Sequence, residues 1–213
     1  MIMNVEVARQ VAEYLLEIKA VILRPNQPFT WSMGWKSPIY CDNRITLGQV
    51  KVRNYLIESW AKILNSEYPM ADSMAGVATA GISHAALLAD RLQLPMAYVR
   101  SKPKEHGTGK MTEGQLPNQA KCIIIEDLIS TAGSSINALQ ALRAENTNPL
   151  CISAIFNYGF QQATIALADN NIEALWLCDY SSLIEVAKEK NFVSENDLTA
   201  LQEWRLSPST WKQ

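Results

Sequence analysis

The 213-residue chain has no excess of positive charge: 19 Lys and Arg stand against 21 Asp and Glu, for a net charge of −2. A surface built to hold nucleic acid through its phosphates is therefore not expected, and nucleic acid is not an expected partner. No stretch approaches the roughly 18 consecutive apolar residues that a membrane helix needs. The N-terminus lacks a basic segment leading into an apolar core, so secretion is not expected either. The four cysteines, Cys41, Cys122, Cys151 and Cys178, are widely spaced and form no C-x-x-C. That spacing argues against a zinc site and for buried free thiols in a reducing compartment, the cytoplasm. Two common phosphate-binding signatures are also missing. No G-x-x-x-x-G-K-[ST] occurs, and Gly107, Gly109 and Gly114 neither follow a strand nor fit G-x-G-x-x-G. Repeats, low-complexity tracts and linkers are absent as well.

What the chain does have is a globular composition, 48% hydrophobic and 19% charged, at a length suited to one domain spanning residues 1–213. Its most informative stretch is KCIIIEDLISTAGSSINALQAL, residues 121–142. Cys122, Ile123, Ile124 and Ile125 form an apolar run without alternation, the pattern of a parallel strand buried on both faces. Two carboxylates, Glu126 and Asp127, stand where that strand is expected to end. A turn of small and hydroxyl-bearing residues follows, from Ser130 to Ser135, and then a helix with Ile136, Leu139 and Leu142 on its apolar stripe. Such a turn offers backbone N–H groups, hydroxyls and the positive end of a helix dipole, which together suit a phosphate. Adjacent carboxylates cannot bind phosphate, but they suit sugar hydroxyls or the surroundings of a divalent cation. A ribose 5-phosphate matches both halves. Capping of the helix by Ser134 or Thr131 is the competing, purely structural explanation.

The segment EDLISTAGSS resembles the phosphoribosyl-diphosphate-binding motif of the type I phosphoribosyltransferases. It has two acids, Glu126 and Asp127, two apolar residues, Leu128 and Ile129, and a phosphate loop of Ser130, Thr131, Ala132, Gly133 and Ser134. The resemblance implies that all of these bind 5-phosphoribosyl diphosphate and that Ser130 also approaches the accepting base. Many members carry Gly where this chain has Ala132, so the backbone there is expected to suit a residue with a Cβ.

Upstream, residues 5–23 place Val7, Val11, Tyr14, Leu15, Ile18 and Ile22 on one face, which predicts an amphipathic helix stopped by Pro25 and Pro28. Residues 29–44, FTWSMGWKSPIYCDNR, are rich in aromatics, Gly and Pro and read as short strands and turns. By residue type alone, a hairpin packing Trp31, Trp35 and Tyr40 on the core accounts for them. The segment also resembles the N-terminal hood of the orotate phosphoribosyltransferases, a branch of the same family. That likeness implies a hood over residues 1–45 in which Tyr40 and Lys36 meet a flat, anionic base. A lysine of one branch of the family is replaced here by Ser32, for which Lys36 is the candidate substitute.

Residues 47–66 predict a second helix, and residues 72–77 a strand running into Ala78, Thr79, Ala80 and Gly81, whose small size would let the main chain approach a ligand. The resemblance assigns this loop to the diphosphate. His84, in the helix that follows, reads as a packing residue. After a strand at 96–99, residues 100–121 form a long basic stretch expected to be a loop. The resemblance makes 100–120 a catalytic lid in which Arg100, Lys104 and His106 bind the diphosphate, with Lys104 the catalytic residue. Such a lid would bring cations to the leaving group and exclude water. It also implies Mg2+ held mainly by substrate and water, without a dedicated protein cage, and a homodimer whose lids cross the interface.

The remaining residues alternate strand and helix, with Ser182/Glu185 and Ser194/Asp197 spaced as capping boxes and Trp204 and Trp211 in packing roles. The expected fold is α/β: a mostly parallel sheet flanked by helices, with a small N-terminal hood and ligands at the carboxyl ends of the strands. The function implied by the resemblance is transfer of the 5-phosphoribosyl group to orotate, giving orotidine 5′-phosphate and diphosphate in de novo pyrimidine synthesis. Two other readings stay open: a type I enzyme for adenine or uracil, and a phosphoribosyltransferase-like regulator that binds nucleotides or RNA.

Overall fold

The computed structural model describes residues 1–2, 4–31, 34–103 and 110–212. In chain order the elements are helix α1 (Val5–Glu17), strands β1 (Val21–Leu23), β2 (Phe29–Thr30), β3 (Lys36–Ser37) and β4 (Ile39–Cys41), helices α2 (Ile45–Gly48) and α3 (Val50–Glu67), and strand β5 (Ser73–Val77). Helix α4 (Ala80–Leu92), strands β6 (Met96–Val99), β7 (Thr112–Glu113) and β8 (Lys121–Ile129), helix α5 (Gly133–Ala144) and strand β9 (Asn148–Asn157) come next. Helix α6 (Gln161–Asp169), strand β10 (Glu173–Asp179) and helices α7 (Tyr180–Glu189) and α8 (Glu195–Leu206) complete the set.

Six strands form the central sheet in the order β10-β9-β8-β5-β6-β7, parallel except for the antiparallel pair β6 and β7. The apolar run of β8 is buried on both faces, as its lack of alternation predicts. Ile123 and Ile125 enter the core against α1, α3, α4 and α7, whereas Cys122 and Ile124 enter the one beneath α5 and α6. From β5 the chain steps to β6 on one side and later returns to β8 on the other. This reversal opens a crevice at the carboxyl ends of β5 and β8, where open α/β sheets bind ligands. Two smaller antiparallel pairs, β1 with β4 and β2 with β3, make up the hood region.

Several expectations change. The first helix ends at Glu17, not Leu23: Lys19 adopts a left-handed φ of 59°, and Val21–Leu23 instead pair with Ile39–Cys41. Two β-branched residues in that tripeptide and an available partner strand favour extension. Strand β8 does not stop before the acids but runs through them to Ile129, because β9 stays paired with it as far as Asn157. Residues 100–121 are not all loop, since Thr112 and Glu113 pair with Val99 and Tyr98. Helix α7 starts before Ser182 and is capped by Asp179, whose carboxylate accepts from the Ser182 N–H at 2.9 Å. The Ser194/Asp197 capping box is present, and Trp204 and Trp211 are buried. No described helix is long and apolar enough to cross a membrane.

Candidate functional site

Pairing between β5 and β8 reaches Gly76 and Ile125, so Glu126–Ile129 continue beyond it with β9 on one side only. The two acids thus border the crevice while still held in a strand. Glu126 is buried, 5% exposed. Its Oε2 accepts from Ser134 Oγ at 2.9 Å and its Oε1 from the Asp127 N–H at 3.1 Å. Burial, reinforced by the Asp127 charge, pushes the Glu126 carboxyl up to about 8. Burial also raises Asp127, opposed by its bond with Glu126 and by the nearby His84 and Arg44.

The turn after β8 carries no side-chain cap for α5, and Ser134 is turned back to Glu126 instead. The first-turn N–H groups of a 12-residue helix therefore lack the usual side-chain acceptor, which weakens the capping explanation. Buried Ser135 Oγ has no hydrogen-bond partner. At Ala132 the expectation of a conformation suited to a Cβ fails: its φ of 66° and ψ of 8° lie in the left-handed region that favours glycine. A Cβ added to Gly133 would meet nothing closer than Thr131 Oγ1 at 3.9 Å, so the turn is open on that side.

Across the crevice, the Ala78–Thr79 peptide is cis and leads into α4. The small residues of this segment have a packing reason. A Cβ on Gly81 would come within 2.4 Å of the Ile125 carbonyl, and one on Gly76 within 2.8 Å of Ile82 Cα. Close contact between α4 and the sheet thus accounts for both glycines without a ligand.

Arg100 follows directly on β6 and pairs with Glu113 at 3.3 Å, so its charge is partly engaged at the sheet edge. Lys104 and His106, like Ser32, lie outside the described residues. In the hood, Lys36 Nζ donates to Thr30 Oγ1 at 2.9 Å, and its carbonyl accepts from Trp204 Nε1 at 3.1 Å. Trp31 packs on Tyr158, Phe160 and Trp204, which fastens the β2–β3 hairpin to the body as the packing explanation expects. Tyr40 is 40% exposed beside Phe29 and remains available to a ligand.

Sequence reasoning passed over Arg44. Its guanidinium pairs with Asp42, which raises it, and Tyr40 and Asp127 contribute less. The only signal was its place in CDNR. No group of three or more His, Cys, Asp or Glu side chains among the described residues is placed to hold a metal ion. A hard cation beside Glu126 and Asp127 would take most of its oxygens from bound molecules and water. A cavity of about 990 Å³ lies elsewhere, among Gly159, Phe160, Tyr180, Ser181, Glu185 and Arg205, and contains none of the residues from Glu126 to Ser134. Volume alone does not assign it chemistry, and Arg205 there already bonds Ser181.

The phosphoribosyl transferase domain model matches residues 53–159, from α3 through the residues just after β9. The chain is 51% identical over 205 residues to a Listeria innocua orotate phosphoribosyltransferase, covering 96% of this chain and 98% of that one. It is 47% identical over 206 residues to the Enterococcus faecalis protein of the same name, covering 97% and 98%. Among solved structures, the orotate phosphoribosyltransferase of Aeropyrum pernix superposes with a TM-score of 0.70 at 24% identity, over 82% of this chain and 97% of that one. At that identity the superposition speaks for the fold.

Proposed function

The chain belongs to the phosphoribosyltransferase family, and within it to the orotate phosphoribosyltransferases, and from this premise we propose how its residues divide the work. As a pentosyltransferase of pyrimidine biosynthesis, it joins orotate to the 5-phosphoribosyl group of 5-phosphoribosyl 1-diphosphate and releases diphosphate. One observation carries the assignment of the site: the uncapped first turn of α5 adjoins the Glu126–Asp127 pair at the crevice between β5 and β8.

The turn from Ser130 to Ser134, with the N–H groups of α5, holds the 5′-phosphate. Asp127 and Glu126 orient the ribose hydroxyls through their carboxyl oxygens. The main chain of the Ala78–Ala80 loop faces the diphosphate. Arg100, Lys104 and His106, within a lid at 100–120, neutralise the charge arriving on the leaving group and keep water from the reacting carbon. For Arg100 this means exchanging Glu113 for the diphosphate. Orotate lies under the hood of residues 1–45, against Tyr40 and Ser130, with Lys36 released from Thr30 to meet its charge. Glu126 and Asp127 would stand beside a Mg2+ ion held mainly by substrate and water, and that ion would supply positive charge to the diphosphate. The working unit is a cytoplasmic homodimer of one-domain chains whose lids cross the interface.

A base panel tests the assignment. Turnover with orotate, and little with uracil or adenine, is the expected result; turnover confined to another base would replace the substrate, and none with any base would remove the enzymatic reading.

A further inference from the structure

Three buried polar residues outside the substrate assignment link the walls of the crevice. Asn43, Thr46 and His84 are 0%, 0% and 1% exposed. Asn43 Nδ2 donates to the main-chain carbonyl of Asp127 at 2.7 Å, and its Oδ1 accepts from Cys41 Sγ at 3.5 Å. Thr46 Oγ1 donates to the Asn43 carbonyl at 2.6 Å. The same oxygen lies 3.2 Å from His84 Nε2, and His84 Nδ1 lies 3.1 Å from the Ala80 carbonyl. A hydroxyl has one proton, and here the carbonyl of Asn43 takes it. Thr46 must therefore accept from His84 Nε2–H, and the Ala80 carbonyl can only accept from Nδ1–H, so the neutral ring makes one of these two bonds and the imidazolium makes both.

Each end of that chain belongs to a different wall. Asn43 follows β4, which carries Tyr40. Asp127 belongs to the acid strand. Ala80 is the first residue of α4, the helix that carries His84 and follows the cis peptide after β5. Packing alone does not call for such a chain, since apolar side chains of the same volume would fill this space without the cost of burying polar groups. The position of His84 on the buried stripe with Leu88 gave no sign of this role in the sequence.

We propose that Asn43, Thr46 and His84 are positioning residues that couple the hood to the acid strand and to the loop after β5, so that the affinities for orotate and for 5-phosphoribosyl diphosphate depend on the same chain of bonds. This deepens the functional reading above and rests on it for the identity of the two walls.

The test is Thr46→Val, which keeps the side chain's shape and removes the hydroxyl. The KM values for orotate and for 5-phosphoribosyl diphosphate should both rise about tenfold, the scale of one buried hydrogen bond lost with its partners left unpaired. At the same time kcat should stay within about threefold, since uniform binding is what is lost. Thr46→Ser restores the hydroxyl and should bring both KM values back towards those of the wild type. A merely structural role would lower the melting temperature and the active fraction, and hence the apparent kcat, while leaving both KM values unchanged. That outcome, or a rise in one KM alone, overturns the proposal. Should Thr46→Val fail to fold, His84→Phe keeps a ring of similar shape without its nitrogens and should give the same paired rise. Wild-type base preference is measured first. If another base proves to be the substrate, the paired KM test is read with that base, and the two readings fail separately.

Discussion

Ser134 Oγ donates a 2.9 Å hydrogen bond to Glu126, tying the first turn of α5 to the acid strand that leads into it. The serine that might have capped the helix is thereby used on a carboxyl group, and the first turn of α5 is left without a side-chain cap.

The buried Glu126 should give the ligand-free protein a distinctive pH dependence. Its carboxyl titrates near 4.5 in the unfolded chain and is pushed up to about 8 in the fold, mainly by burial. Between those values the folded state holds a proton that the unfolded state has released. Stability should therefore fall as pH rises through this window, by up to about 1.4 kcal/mol per pH unit for one proton. Denaturant melts from pH 5 to pH 8, compared between wild type and Glu126→Gln, provide the check. The variant should lose this part of the slope, and parallel slopes would place the titrating proton on another group.

Gly133→Ala should separate the fold of the phosphate turn from its function. The new methyl meets open space and stands in a helix, where Ala is favoured over Gly by roughly 0.5–1 kcal/mol. Stability should hold or rise slightly, while the methyl narrows the proposed phosphate cradle. Calorimetric titration with 5-phosphoribosyl diphosphate should show weaker binding; unchanged affinity would move the phosphate away from this turn. At Ala132 the reverse applies, because its left-handed φ of 66° makes a β-branched Ala132→Val costly by about 2 kcal/mol or more.

Lys104→Ala should lower kcat by about two to three orders of magnitude, the scale for one donor that stabilises charge in a transition state. Steady-state kinetics with both substrates varied will separate this from loss of binding. A raised KM with kcat intact would make Lys104 a ground-state anchor.

If the lids cross the dimer interface, mixing Lys104→Ala subunits with Asp127→Asn subunits should restore activity. Each homodimer carries a lesion in every site. The mixed dimer collects both lesions in one site and leaves the other intact, recovering up to about half the normal sites. Exchange is confirmed by mass before activity is read, and exchange without recovery would mean that each lid closes over its own subunit.

By itself the sequence determined the alternation of strands and helices, the doubly buried β8 and the order of acids, turn and helix from Glu126 to Ala144. These features depend on local periodicity and on neighbouring residues, which the chain displays directly. Resemblance to a motif then supplied the substrate class. Only the tertiary structure decided that Val21–Leu23 leave the first helix to pair with β4, and that β8 runs through its acids alongside β9. It also decided that Gly81 is small because Ile125 lies against it, and that Ala132 occupies a left-handed backbone. In each case the deciding partner is distant in sequence or the conformation is imposed by the packing around it. The same holds for Asn43, Thr46 and His84: 38 residues separate Thr46 from His84 and 84 separate Asn43 from Asp127, so no periodicity could join them, yet folding buries all three in one chain of hydrogen bonds.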